Sequence, residues 1–163
     1  MQRNNSNTET GTNTKKSYAR IISYALYIFL QCTWGLPQTL AGLVFFLISI
    51  RCPHQFYHGC IKTTRSDIGG VSLGLFIFVS DKEENDFSSR ASVHEFGHTI
   101  QSLILGPLYL FTAGAASMLW CGLPYFKKMR SEKRISYNDF FVESSANALG
   151  EKLLHEASTK GLL

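Results

Sequence analysis

The sequence predicts a mainly α, integral-membrane chain. Three observations carry that expectation. Residues 21–50 contain no charged side chain, which exceeds the length of about 20 residues that spans a bilayer. A second uncharged, apolar block covers residues 103–123. Basic clusters flank these blocks: Lys15, Lys16 and Arg20; Arg51, Lys62 and Arg65; and Lys127, Lys128, Arg130, Lys133 and Arg134. Such clusters mark the cytoplasmic ends of membrane helices.

The elements follow in order. Residues 1–17 are rich in Asn, Thr and Ser and read as a disordered tail. No small-residue cleavage site follows Lys15, Lys16 and Arg20, so the first apolar block reads as an uncleaved anchor. Gly35-Leu36-Pro37 interrupts it, because proline removes a donor and disfavours helix at the residue before it. The block is then one kinked span or a hairpin of two short helices, with a re-entrant pair as the short-armed form. Residues 60–79 read as a β-hairpin around Asp67-Ile68-Gly69-Gly70, from their branched and aromatic content. A helix over about 90–105 follows, capped by Ser88 or Ser89 and ended by Gly106-Pro107. The acidic stretch Asp81, Glu83, Glu84, Asp86 before it reads as a solvated connection. Gly114, Ala115, Ala116 and Ser117 suit close helix contact in the second block. An amphipathic helix over about 139–157 closes the chain. Residues 18–163 make a single membrane-embedded domain.

The net charge of +4 comes from clusters beside apolar runs, not from a basic stripe with interleaved aromatics. That excludes a nucleic-acid surface. Cys32 and Cys121 sit in apolar segments and act as small hydrophobes. Cys52, His54, His58 and Cys60 form a dense cluster whose spacing matches no common zinc module. It reads as a loop at the membrane edge.

The chemistry lies in His94-Glu95-Phe96-Gly97-His98. Residues four apart share a helix face, so His94 and His98 can present two imidazole nitrogens to one metal, with Glu95 beside them to act on its water. This is the H-E-x-x-H arrangement of zinc peptidases. A catalytic zinc takes a third protein ligand, and the downstream candidates are Glu132, Asp139, Glu143, Glu151, His155 and Glu156. Glu143 and Asn147 stand four apart on one helix face, behind a possible cap at Asp139. Glu143 is placed to bind the metal there, and Asn147 to hold the second ring nitrogen of an upstream histidine.

With Glu143-Ser144-Ser145-Ala146-Asn147 as its second motif, the chain resembles the gluzincin metallopeptidases. HtpX-type membrane endopeptidases carry E-x-x-A-D there, and ImmA-type peptidases carry E-x-x-A-N. The resemblance covers the two motif helices and implies that His94, His98 and Glu143 bind zinc, with Glu95 as general base. It also implies that the strand over 71–79 pairs with extended substrate. The segment between the motifs is shorter and more apolar than in either group. The whole chain is similar as well to small bacterial membrane proteins carrying G-L-P-Q-T, H-E-F-G-H-T-I-Q-S and L-G-P-L-Y-L stretches, a likeness that adds no chemistry.

The expectation is therefore a membrane-bound zinc metalloprotease of the bacterial inner membrane. Its site faces the cytoplasmic side, and its partners are the lipid bilayer and a peptide or membrane-protein substrate. Tyr137 and His155 flank the Glu143 helix as candidates to stabilise the oxyanion. The rival readings are a non-catalytic membrane scaffold, a zinc-binding or sensing membrane protein with a degenerate H-E-x-x-H site, and, more weakly, a transporter.

Overall fold

A computed structural model describes residues 6–66, 69–81 and 85–161. The start of the tail, the expected turn at Asp67-Ile68, and Glu83 and Glu84 of the acidic stretch lie outside the described residues. Helix α1 (Ser6–Thr33) begins within the stretch read as a tail. Gly35 and Pro37 then break the first apolar block, and α2 (Leu36–Ile48) leaves α1 at 94°. Four short strands follow: β1 (His54–Tyr57), β2 (Cys60–Arg65), β3 (Val71–Leu73) and β4 (Phe76–Ser80). Helix α3 (Asn85–Leu105) carries the H-E-x-x-H motif. Ser88 and Ser89 lie inside it rather than before it. It stops where Gly106 takes φ +55 and Pro107 follows. A 3-10 segment (Gly106–Phe111), α4 (Ala113–Gly122), α5 (Pro124–Lys133), a second 3-10 turn (Tyr137–Asp139) and α6 (Phe141–Leu154) complete the chain.

This architecture corrects the membrane-spanning, mainly α expectation. Among the described residues no single helix is long and apolar enough to cross a membrane. Both apolar blocks are broken, the second by a 70° bend between the 3-10 segment and α4. A count of apolar residues registers length but not these bends: the first falls at Gly35-Leu36-Pro37, and the second at Thr112, beyond the stop of α3 at Gly106-Pro107. Nor is residues 60–79 a simple hairpin. The sheet has four strands in the order β1-β2-β4-β3, with β2 and β4 parallel and the outer pairs antiparallel. Gly74, at φ +60, splits the run 71–79 into β3 and β4. The Cys/His cluster, read as a loop, supplies β1 and its turn.

The central strand β4 is buried along its whole length. Ile77 and Val79 join Cys60, Ala91 and Phe96 in one core cluster. Phe76 and Phe78 meet α2 instead, through Phe46 and Phe45. A strand covered on both faces reads as a continuous apolar run without alternation. A second cluster joins Tyr109 and Ala113 to Val142 of α6.

The helix pair in most extensive contact is α3 against α6. A Cβ on Gly97 would overlap the backbone of Ala146, and one on Gly150 would overlap the carbonyl of Val93. Each helix contributes one glycine at which the partner's backbone passes within contact distance. The side of α3 that faces α1 is held by polar groups. Tyr27 donates to Thr99 Oγ1 at 2.7 Å and lies 3.0 Å from Cys60 Sγ. Burial pushes the Cys60 thiol up to about 12, the Tyr27 hydrogen bond only partly offsetting it.

Gly150→Ala should lower stability by about 1–3 kcal/mol through overpacking, read by urea unfolding. Gly122→Ala, where an added Cβ meets nothing, should not lower it. Iodoacetamide should label the exposed Cys32 and Cys121 in the folded protein, whereas Cys60 should react only on unfolding, because its thiolate is suppressed at neutral pH.

Candidate metal centre

The site forms where α3 and α6 cross. His94 and His98, one helical turn apart on α3, hold their rings 4.7 Å apart between centroids and nearly perpendicular, at 87°. From α6, Glu143 Oε2 comes within 3.1 Å of His94 Nε2 and 3.3 Å of His98 Nε2. Ligands bound to zinc at about 2.0–2.1 Å in tetrahedral geometry lie about 3.3 Å from one another. Glu143 is fully buried, and His94, Glu95 and His98 are at most 6% exposed.

The outer nitrogens of both rings are engaged. His94 Nδ1 lies 2.8 Å from Asn147 Oδ1, and His98 Nδ1 lies 2.8 Å from Gln101 Oε1. Both amides turn their oxygens to the imidazoles because their nitrogens donate elsewhere: Asn147 Nδ2 to Asn138 Oδ1 at 2.8 Å, and Gln101 Nε2 to the Val142 carbonyl at 2.7 Å. An amide oxygen accepts, so each Nδ1 must carry the proton. In a neutral imidazole that leaves Nε2 as a bare lone pair. Two such lone pairs and a carboxylate then converge with no donor between them. Glu143 Oε1, also buried, has no hydrogen-bond partner. Such an arrangement requires positive charge at its centre, from protons on the rings or from a cation. With Glu95 and Glu143 both ionised, a divalent cation balances the site.

This buried His94–His98–Glu143 group can hold a metal ion, and it is the one such group among the described residues. No family model, curated protein or solved structure matches the chain.

The field inside the site follows from the same geometry. Burial pushes the Glu143 carboxyl up, but His94 and His98, when their rings are protonated and donate from Nε2, outweigh burial and hold it well below the usual carboxylate range. Burial raises the Glu95 carboxyl, and the nearby His98 and His94 only partly counter it. For His98, burial favours the neutral ring, yet Glu143 and Glu95 together leave its pKa raised. Above Glu95 runs the backbone at Gly70, where any Cβ would overlap the carboxylate. Ser72 of β3 stands beside Glu95, with its hydroxyl buried.

Other candidates separate on position. Tyr137 lies near both Glu143 and Glu95, and burial first, then those carboxylates, raise its phenol pKa. His155 caps the far end of α6 in a left-handed conformation, exposed to solvent and twelve residues from Glu143, or about 18 Å at helical rise. It therefore lies outside the site. Asp139 pairs with Ser136 in a capping box of the 3-10 turn, and Phe140 caps α6. The Cys/His cluster does not converge: His54 Nδ1 bonds Thr63 Oγ1 at 2.9 Å, His58 lies by Tyr24 and Glu156, and Cys60 by Tyr27.

Sequence reasoning missed Gln101, Asn138, Ser72 and Tyr109. Gln101 had a signal, three residues after His98 on the same helix face. Tyr109 had none: it arrives from the 3-10 segment, where the carboxylates of Glu95 and Glu143 add to the effect of burial on its phenol.

Asn147→Ala should weaken divalent-metal affinity about 10–100-fold, measured by competition with a chromophoric chelator. Metal affinity should fall as pH drops, and the fall should begin above the ordinary imidazole range, because the neighbouring carboxylates raise the His98 pKa and let protons compete for its ring earlier.

Proposed function

We propose that this chain is a zinc-dependent metallopeptidase in which His94, His98 and Glu143 hold the ion and Glu95 is the general base. The observation that carries this reading is the convergence of two imidazole Nε2 atoms and one carboxylate oxygen beside a second, buried carboxylate. Two His and one Glu form the donor set of catalytic zinc in several peptidases. The gluzincin resemblance of the two motifs supports the same assignment. When bound, zinc supplies a Lewis acid and lowers the pKa of water to about 7.

The chain's own residues perform the rest. Glu95 accepts the proton of the attacking water and returns it to the leaving amine. Burial raises its basicity, which suits that exchange. Asn147 and Gln101 fix the tautomer and orientation of the two rings. Tyr137 and Tyr109, both near Glu95 and Glu143, are the phenols available to stabilise an oxyanion. Within residues 71–79, substrate pairing falls to β3. Strand β4 is hydrogen-bonded on both sides, whereas β3 is an edge of the sheet. An extended peptide added to β3 would run past Ser72 and Glu95.

One observation favours a second reading, a zinc-binding or sensing protein that cleaves nothing. The four site residues are almost fully buried, and the backbone at Gly70 lies against Glu95. Cleavage requires that this segment yield to substrate.

Glu95→Gln separates the two. In the peptidase reading, zinc stoichiometry by plasma mass spectrometry stays at one per chain, while cleavage of an unfolded protein substrate falls by about 10²–10⁴-fold. His94→Ala should lose the metal. A wild-type protein that binds zinc yet shows no chelator-sensitive cleavage is the sensing protein instead.

A further inference from the structure

We propose that this protein docks on the surface of an anionic bilayer, seating its two helix elbows in one leaflet without crossing it. The inference goes beyond the metal site and does not rest on it.

The first elbow is tied to the start of the 3-10 segment that leads into the second. Trp34, at the bend between α1 and α2, donates from its indole to the Leu103 carbonyl at 3.0 Å, and its ring lies over Gly106 at the start of the 3-10 segment. Gln38 of α2 donates to the Gly106 carbonyl at 3.1 Å. From this junction, α2 exposes Leu40 and Val44, the 3-10 segment exposes Leu108 and Phe111, and α4 exposes Met118 and Leu119. Phe111 is 81% exposed and Met118 76%. Apolar faces of this extent are rare on monomeric proteins and mark contact sites.

Charge selects the occupant. No charged residue occurs in α2, the 3-10 segment or α4. The chain leaves this face through cations: Arg51 follows α2, and α5, which follows α4, presents Lys127 and Lys128 to solvent. No residue of α5 is buried. Between Phe96 and Ser131 the chain has no acidic side chain. A protein partner would be recognised through interspersed polar groups, about one hydrogen bond per 100–200 Å² of interface. This surface offers hydrocarbon with a predominantly basic rim, in which Glu132 of α5 pairs with Lys128 and leaves Lys127 and Arg51 in excess, the pattern of peripheral membrane binding. Because each apolar block is bent by 70° or more, neither can thread a bilayer as a straight span. Each can lay its apolar face among the upper acyl chains.

The test is flotation of the purified full chain with vesicles of phosphatidylcholine alone or with about 30 mol % phosphatidylglycerol. Binding is expected to the anionic vesicles and to weaken with added salt. Leu108→Ser with Phe111→Ser should weaken it at least tenfold, and Lys127→Glu with Lys128→Glu several-fold, both retaining metal content and circular dichroism. The lysine pair lies on the surface and keeps the test decisive should the apolar pair fail to fold. Three outcomes overturn the proposal: no affinity for either vesicle, equal affinity of wild type and folded variants, or a dimer by light scattering that buries the face and ignores vesicles. A bimane label on Phe111→Cys, in a background with Cys32, Cys52 and Cys121 replaced by Ser, should be quenched by spin labels near the headgroups and not at the bilayer centre; the reverse would mean deep insertion and also overturn it.

Discussion

The close passage of α3 against α6 is the constraint on which the rest of the structure depends. An H-E-x-x-H helix alone offers two imidazoles to solvent. It becomes a buried three-donor site only because Glu143 arrives at hydrogen-bond distance from both rings. That approach exists because Gly97 and Gly150 present no side chain where the helices touch. The same contact brings Asn147 to His94, and Gln101 to the Val142 carbonyl. One packing geometry thus sets the ligands and the groups that orient them. A shift of a fraction of an ångström along this interface would disturb both, since packed interiors transmit displacement.

The opposite side of α3 is fastened by side chains that look out of place in an apolar block. Gln31 and Gln38 are fully buried. Gln31 donates to the Thr99 carbonyl at 2.9 Å, and Gln38 to Ser102 Oγ at 2.8 Å. These bonds latch α1 and α2 onto the turn of α3 just beyond His98. A buried amide is costly unless it is bonded, so α1 and α2 have one satisfactory position against α3. Gln38 Oε1 is left without a partner. The two helices therefore support the candidate metal centre from behind while turning their hydrocarbon outward.

The sheet contributes on the third side. Strand β4 buries its whole length and lies immediately before α3 in the chain, so it anchors the helix. Strand β3 lies beyond it, with Ser72 beside Glu95 and the backbone at Gly70 against the carboxylate. This wall excludes water from Glu95 and raises its carboxyl. It also bounds the space any substrate would need. Base strength and restricted access are two consequences of the same burial.

The sequence alone determined what is local. The spacing of His94, Glu95 and His98 is a property of one helix, readable because its period is fixed. The same holds for Glu143 and Asn147, and for the breaks at Gly35-Leu36-Pro37 and Gly106-Pro107. What periodicity does not encode is direction after a break, so two apolar blocks long enough to span a membrane turned out to be bent pairs. Strand partners were equally hidden: Gly74 splits one apolar run into two strands, and the parallel pairing of β2 with β4 joins residues that share no local signal. Gln101 was within local reach, whereas Tyr109 and Ser72 come to Glu95 from separate elements. Tertiary packing decided those, because only the close-packed crossing of α3 and α6 and the backing of the sheet bring such distant positions to one carboxylate.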